Sequence, residues 1–135
     1  MCLSINEKVQ LPKSKRNYFI GYKVVRVRPE TAVFNKEITS LHQTSFAWKS
    51  KWNIGCRHYR PGMFTRNIYD GIHVFISKLQ ASRVADGYYN GVVMPVRCYY
   101  ANFIASGYNP GFLPGAVFSK VYLEKRTYNR ILNDA

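Results

Sequence analysis

Between Trp48 and Arg66 the chain interleaves planar rings with fixed positive charge: Trp48, Lys49, Lys51, Trp52, Arg57, His58, Tyr59, Arg60, Phe64 and Arg66. Guanidinium and ammonium groups hold phosphate oxygens, arginine in a two-pronged fork, and exposed rings stack on bases. The alternation suits a site for a nucleotide or a single-stranded nucleic acid. Lys49, Lys51, Arg57, Arg60 and Arg66 would then sit on phosphate, and Trp48, Trp52, Tyr59 and Phe64 would be stacking surfaces. The competing reading buries the tryptophans and leaves the charges as a solvated rim. Arg26, Arg28 and Arg97 join the phosphate set from strand-like runs. Arg26 and Arg28, two residues apart, share one strand face, which lines a groove or simply meets solvent.

The chain-wide balance agrees with a phosphate-bearing partner. There are 20 Lys+Arg against 7 Asp+Glu, a net charge of +13 on 135 residues, and residues 8 to 66 hold 13 basic and 2 acidic side chains. Such a surface repels itself and attracts polyanions.

Catalytic chemistry has fewer residues to draw on. Glu7 and Asp134 lie in the terminal arms, and Glu30, Glu37, Asp70, Asp86 and Glu124 are scattered without the spacing of a carboxylate pair. No phosphate-binding G-x-x-x-x-G-K-[ST] loop, G-x-S-x-G elbow or G-x-G-x-x-G turn occurs. A metal-free nuclease using His42, His58 or His73 with an arginine rests on composition alone. Cys56 and His58 could both reach a metal if their segment is extended, but two further ligands would have to come from a distance. No metal or other cofactor is expected, and binding is favoured over catalysis.

Cys2, Cys56 and Cys98 are odd in number and lack C-x-x-C spacing, which points to a reducing compartment. Cys98 reads as a small core residue. With no apolar leader in residues 1 to 16 and no run near the roughly 18 apolar residues of a membrane span, the expectation is a cytoplasmic protein off the membrane.

The elements that must position these groups are mostly strands. Residues 17 to 28 are aromatic and β-branched and stop at Pro29, with Gly21 as a candidate bulge. Residues 32 to 41 and 44 to 48 are weaker strand candidates, and residues 49 to 70 read as a long basic loop. Ile72, Val74 and Ile76 alternate along a strand that runs into Ser77-Lys78-Leu79-Gln80, an S-x-x-Q capping box. That box predicts a helix over about residues 77 to 86, ended by a left-handed Gly87. A turn at Asn90-Gly91 precedes a strand over residues 92 to 98, where Pro95 suggests an edge or bulge. Residues 107 to 115 read as Gly/Pro punctuation, and residues 116 to 123 as a last strand. The sum is one α+β, mostly β domain with a twisted, largely antiparallel sheet and one short helix. A flexible basic arm (1 to 16) and a basic tail (125 to 135), with a helical turn near Tyr128 to Leu132, flank it.

The run Gly71-Ile72-His73-Val74-Phe75-Ile76-Ser77, Ala81, and the strand Val92 to Arg97 resemble a pattern in small proteins of bacteriophages and their hosts. They also resemble the strand, Ser, short-helix segment of ADP-ribosyltransferase-like domains, over about residues 71 to 106. The first resemblance implies a phage or mobile-element accessory protein acting against host defence. In composition, small, basic and β-rich, the chain also resembles phage proteins that sequester anionic cyclic nucleotides or block nucleic-acid-containing defence complexes, which implies a non-enzymatic oligomer whose pockets pair Arg/Lys with phosphate and rings with bases. The ADP-ribosyltransferase-like segment implies an NAD-using transferase with a cleft near the Gly71 to Ser77 strand. Such enzymes hold the ribose with a late-strand glutamate, and the late acid here is Glu124. A third reading is an interaction module whose basic face docks on an acidic partner protein.

Overall fold

The computed structural model describes residues 3–33, 35–41, 47–55, 67–68 and 70–134. Among these residues there are ten strands: β1 (Leu3–Ile5), β2 (Tyr18–Arg28), β3 (Glu37–Ser40), β4 (Lys51–Ile54), β5 (Asn67–Ile68), β6 (Ile72–Phe75), β7 (Gly91–Tyr99), β8 (Phe103–Asn109), β9 (Leu113–Phe118) and β10 (Lys120–Leu123). Helix α1 (Lys78–Asp86) follows β6, and helix α2 (Lys125–Asp134) follows β10. Every strand pairing is antiparallel, in the order β4-β10-β7-β2-β6-β9-β8-β1-β5, with β3 on β2.

The backbone of the fold is the β2–β7 ladder, which runs in unbroken register from Tyr18↔Tyr99 to Arg26↔Gly91. Gly21 makes no bulge in it. A Cβ at that position would lie 2.7 Å from Cys98 Sγ and 3.1 Å from Val74 Cγ2, so glycine is there to let neighbouring strands approach. β2 also pairs with β6, β6 with β9, and β9 continues through Ser119 into β10, which returns to β7. The ring from β2 through β6, β9, β10 and β7 is therefore completed by the chain itself at Ser119, while the hydrogen-bonded sheet runs open from β4 to β5. Alternation sends Val25, Val74, Met94, Val96, Cys98, Ala116, Phe118, Val121 and Leu123 to the enclosed side, where they form one core. Each buried Val, Leu, Phe or Met among them contributes about 1.5–3 kcal/mol relative to exposure.

α1 is the helix the capping box predicts. Ser77 is its N-cap, and the Ser77 hydroxyl accepts from the Gln80 N–H at 3.4 Å. Ala81 and Ala85 press it against the outer side of the sheet at Val24 and Phe75, with Tyr22 and Val93 packed alongside. Gly87 is right-handed at φ −78, not left-handed, because its N–H bonds back to Val84 in an ordinary final turn.

Several expectations are corrected. The described residues hold two α-helices rather than one: Tyr128, Ile131 and Leu132 pack on the core, so the expected tail is helical α2. The expected flexible arm is held down at many points. Leu3 is fully buried, Leu11 packs on the core, Ser106 Oγ donates to the Val9 carbonyl at 2.8 Å, and Tyr100 OH donates to the Pro12 carbonyl. The expected loop of residues 49 to 70 contains β4 and β5, and residues 107 to 115 are strand ends around a tight β8–β9 hairpin. Pro95 lies in β7 opposite Tyr22, with no shift in register.

Candidate functional site

The clearest concentration of chemistry lies on the outer side of β4, β10, β7 and β2, at the end that α1 leaves uncovered. One row across these strands reads Trp52, Tyr122, Arg97, Ile20, each opposite the next. Beside it Ile54 lies opposite Lys120, and Tyr99 opposite Tyr18. Four rings form an unbroken chain: Tyr18 to Tyr99 at 5.1 Å, Tyr99 to Trp52 at 5.2 Å, and Trp52 to Tyr122 at 5.3 Å between centroids. Contacts of this kind are each worth about 0.5–1.5 kcal/mol beyond burial, so the rings stiffen one another.

Cations are threaded among the rings. The Arg97 guanidinium lies 4.9 Å from the Tyr18 centroid and 5.4 Å from that of Tyr122. Lys120 Nζ is 4.5 Å from the Trp52 centroid, and Arg16 stands 5.7 Å over Tyr18 while its guanidinium donates to the Tyr18 hydroxyl at 2.6 Å. Arg97 is held by hydrogen bonding to the Tyr99 side chain and by Glu124, whose carboxylate accepts from Nε at 3.0 Å; together these raise its pKa above the ordinary arginine value. The face remains open to water, with Trp52 41%, Ile20 39% and Ile54 63% exposed.

A small buried amide sets up this arrangement. Asn53 donates to the Lys49 carbonyl at 2.8 Å and accepts from the Lys49 N–H at 2.9 Å. This clamp holds Lys51 at φ 74, a left-handed conformation that a non-glycine residue adopts at a cost of about 1–2 kcal/mol. The chain thereby reverses between two tryptophans of opposite fate. Trp48 points inward, 3% exposed, with its indole N–H donating to Ser40 Oγ at 3.0 Å, while Trp52 points out.

The sequence-predicted set is therefore divided. Trp48 is corrected to a core residue, buried by the β3 packing around it. Trp52 and Arg97 come together on the outer face, and Lys49 and Lys51 are exposed on the turn that leads to it. Arg26 and Arg28 lie on the same strand face beyond α1, eight residues or about 26 Å along β2 from Tyr18 to Arg26. Arg28 is ion-paired there with Glu37. Arg57, Tyr59, Arg60, Phe64 and Arg66, with Cys56 and His58, lie outside the described residues. Tyr18, Tyr99, Tyr122, Lys120 and Arg16 were missed; the alternation of β2 and β7 marked which residues share a face, but cross-strand register alone joins them.

Other candidate chemistry is differently placed. Ile72, His73, Val74 and Phe75, the run resembling a transferase strand, are all buried between β2 and β9, and Glu124 is engaged by Arg97 at 2.9 Å. Among the described residues no three of His, Cys, Asp and Glu gather as a metal site, and no helix is long and apolar enough to cross a membrane. Burial pushes the Cys98 thiol up to about 12, which keeps it an unreactive core group. A depression of about 340 Å³ at the β8–β9 hairpin, lined by Ser4, Tyr108, Asn109 and Phe112, touches none of the ring-and-cation residues. Comparison with protein-family models, curated proteins and solved structures finds no match to this chain.

Proposed function

We propose that this protein is a non-enzymatic binding protein for a phosphate-rich ligand, a nucleotide or nucleic acid, which it takes on the outer face of β4, β10, β7 and β2. The observation that carries the reading is the contiguous Tyr18–Tyr99–Trp52–Tyr122 ring chain with Arg16, Arg97 and Lys120 set among it. Rings give sequence-tolerant contact with bases, and the cations gain affinity by displacing the counterions of phosphate. The net charge of +13 would draw such a ligand in from solution.

The test is binding of labelled oligonucleotides and of a mixed nucleotide panel across a salt series. Affinity falls with ionic strength, and the double charge reversal Arg16→Glu with Lys120→Glu flattens the slope by about two phosphate contacts. Reversal of Arg26, beyond α1, leaves the slope closer to that of the parent. Binding to none of these ligands, or binding indifferent to salt, overturns the reading.

A further inference from the structure

We infer that the ligand of this face is single-stranded nucleic acid, with consecutive bases stacked on Trp52, Tyr99 and Tyr18 and the sugar-phosphate chain following Lys120, Arg97 and Arg16. The inference rests on the binding reading above and narrows it. A duplex keeps its base faces inside the stack and offers a protein its phosphates and groove edges, for which a floor of four rings is of little use. A free mononucleotide gains most where walls surround it. These rings stand on an outer sheet face where Trp52 is 41% exposed. Unstacked bases of a single strand present the flat apolar faces that such a floor matches.

Charge and dimensions agree with that occupant. The cations lie over and between the rings, at 4.5 to 5.7 Å from their centroids, rather than along a separate ridge, so phosphate and base contacts alternate over the same few square nanometres. Four strands at about 4.8 Å spacing give a floor about 14 Å wide. That is room for roughly two to four nucleotides, from about 3.4 Å each when stacked to about twice that when extended. α1, seated on Tyr22, Val24 and Val93, closes the floor along the strands, and the edge strand β4 bounds it across them.

The experiment is fluorescence anisotropy with a labelled single-stranded oligonucleotide, the same sequence as a duplex, and heparin as a base-free polyanion. The single strand is expected to bind at least tenfold more tightly than the duplex. Trp52→Ala and Tyr99→Ala each should weaken the single strand about tenfold while leaving heparin binding within twofold, and Trp52→Phe, which keeps a ring, should retain most of the affinity. Circular dichroism of each variant confirms its fold. If duplex or heparin binds as tightly as single strand and the ring variants change nothing, the single-strand inference is overturned while the phosphate-binding reading stands. If none of the three polyanions binds, both fall. A dimer in light scattering whose formation shields Trp52 from acrylamide, or an acidic protein competing for the face with no effect of oligonucleotide, would equally overturn it.

Discussion

The most unusual single residue in the fold is Lys23. It occupies an inward-facing position of β2 opposite the fully buried Met94, where Val25 and Val27 follow it into the core. β2 and β6 share the pair Tyr22↔Phe75, and just past it the carbonyl of His73 takes its hydrogen bond from Lys23 Nζ at 2.8 Å. The ammonium thus caps an acceptor where the two strands separate. Burial lowers its pKa from 10.5 to about 8. Because the native pKa is depressed, protonation disfavours the folded state: the penalty is full below about pH 8 and fades as pH rises to 10.5, where the unfolded chain also loses the proton. The difference corresponds to about 3 kcal/mol. Lys23→Met removes that penalty together with the Lys23–His73 hydrogen bond, which from a charged donor is worth about 1.5–3 kcal/mol. The expected outcome in urea unfolding is a variant whose advantage over the parent is largest near neutrality and shrinks as pH climbs from 8 toward 10.5. A difference independent of pH would show that the ammonium is solvated. Nothing in the sequence around Lys23 marks this role, because a lysine in a strand usually faces water and only the partner strands bury it.

At the scale of elements, legibility tracked how local each signal is. α1 was readable because its start rests on four consecutive residues, Ser77 to Gln80, whose backbone and side chain bond to each other. The N-terminal segment was not, since Leu3, Val9 and Leu11 are isolated apolar residues in a polar stretch and their partners lie about a hundred residues away. β1 pairs with β8 through Ser4↔Tyr108 and Ile5↔Gly107. α2 was legible only as a helical turn, because its apolar residues Tyr128, Ile131 and Leu132 make a narrow stripe among charges. The β1–β8 contact gives a test that needs no ligand. A Cβ at Gly107 would stand 1.9 Å from the Ser4 carbonyl oxygen and 2.9 Å from Asn6 N, both backbone atoms that cannot swing aside. Gly107→Ala is therefore expected to lift β1 off the sheet and lose the burial of Leu3, about 2–3 kcal/mol, with early proteolytic cleavage near the N-terminus. Gly87→Ala is the matched control. Gly87 is right-handed and its nearest obstacle is 3.4 Å away, so alanine there should be neutral or stabilising by under about 1 kcal/mol. Equal effects of the two substitutions would show that β1 is not seated on β8.

For the molecule as a whole, the excess of positive charge was plain in the sequence, but where it meets the rings was not. Trp52, Arg97, Tyr122 and Tyr18 come from four strands spread over a hundred residues, and the pairing of β10 with both β4 and β7 brings them together. A molecule with a net charge of +13 repels itself, and Arg97 and Arg28 each meet a carboxylate while Lys49, Lys51 and Lys13 remain exposed. Dilute salt should relieve that repulsion, since the screening length is about 10 Å at 0.1 M and shorter above it. The thermal midpoint is expected to climb over the first increments of sodium chloride and level off by about 0.3 M, unlike general salting-out, which grows steadily to molar concentrations. At low salt a short single-stranded oligonucleotide should raise the midpoint further, by mass action on the folded state, and the same addition at about 0.3 M should do far less as its affinity falls. A midpoint that drops on adding salt would mean that attractive pairs, not repulsion, dominate the surface. The positive face would then be already neutralised from within, and neither the long-range attraction of a polyanion nor the salt-dependent binding argued for β4, β10, β7 and β2 could hold.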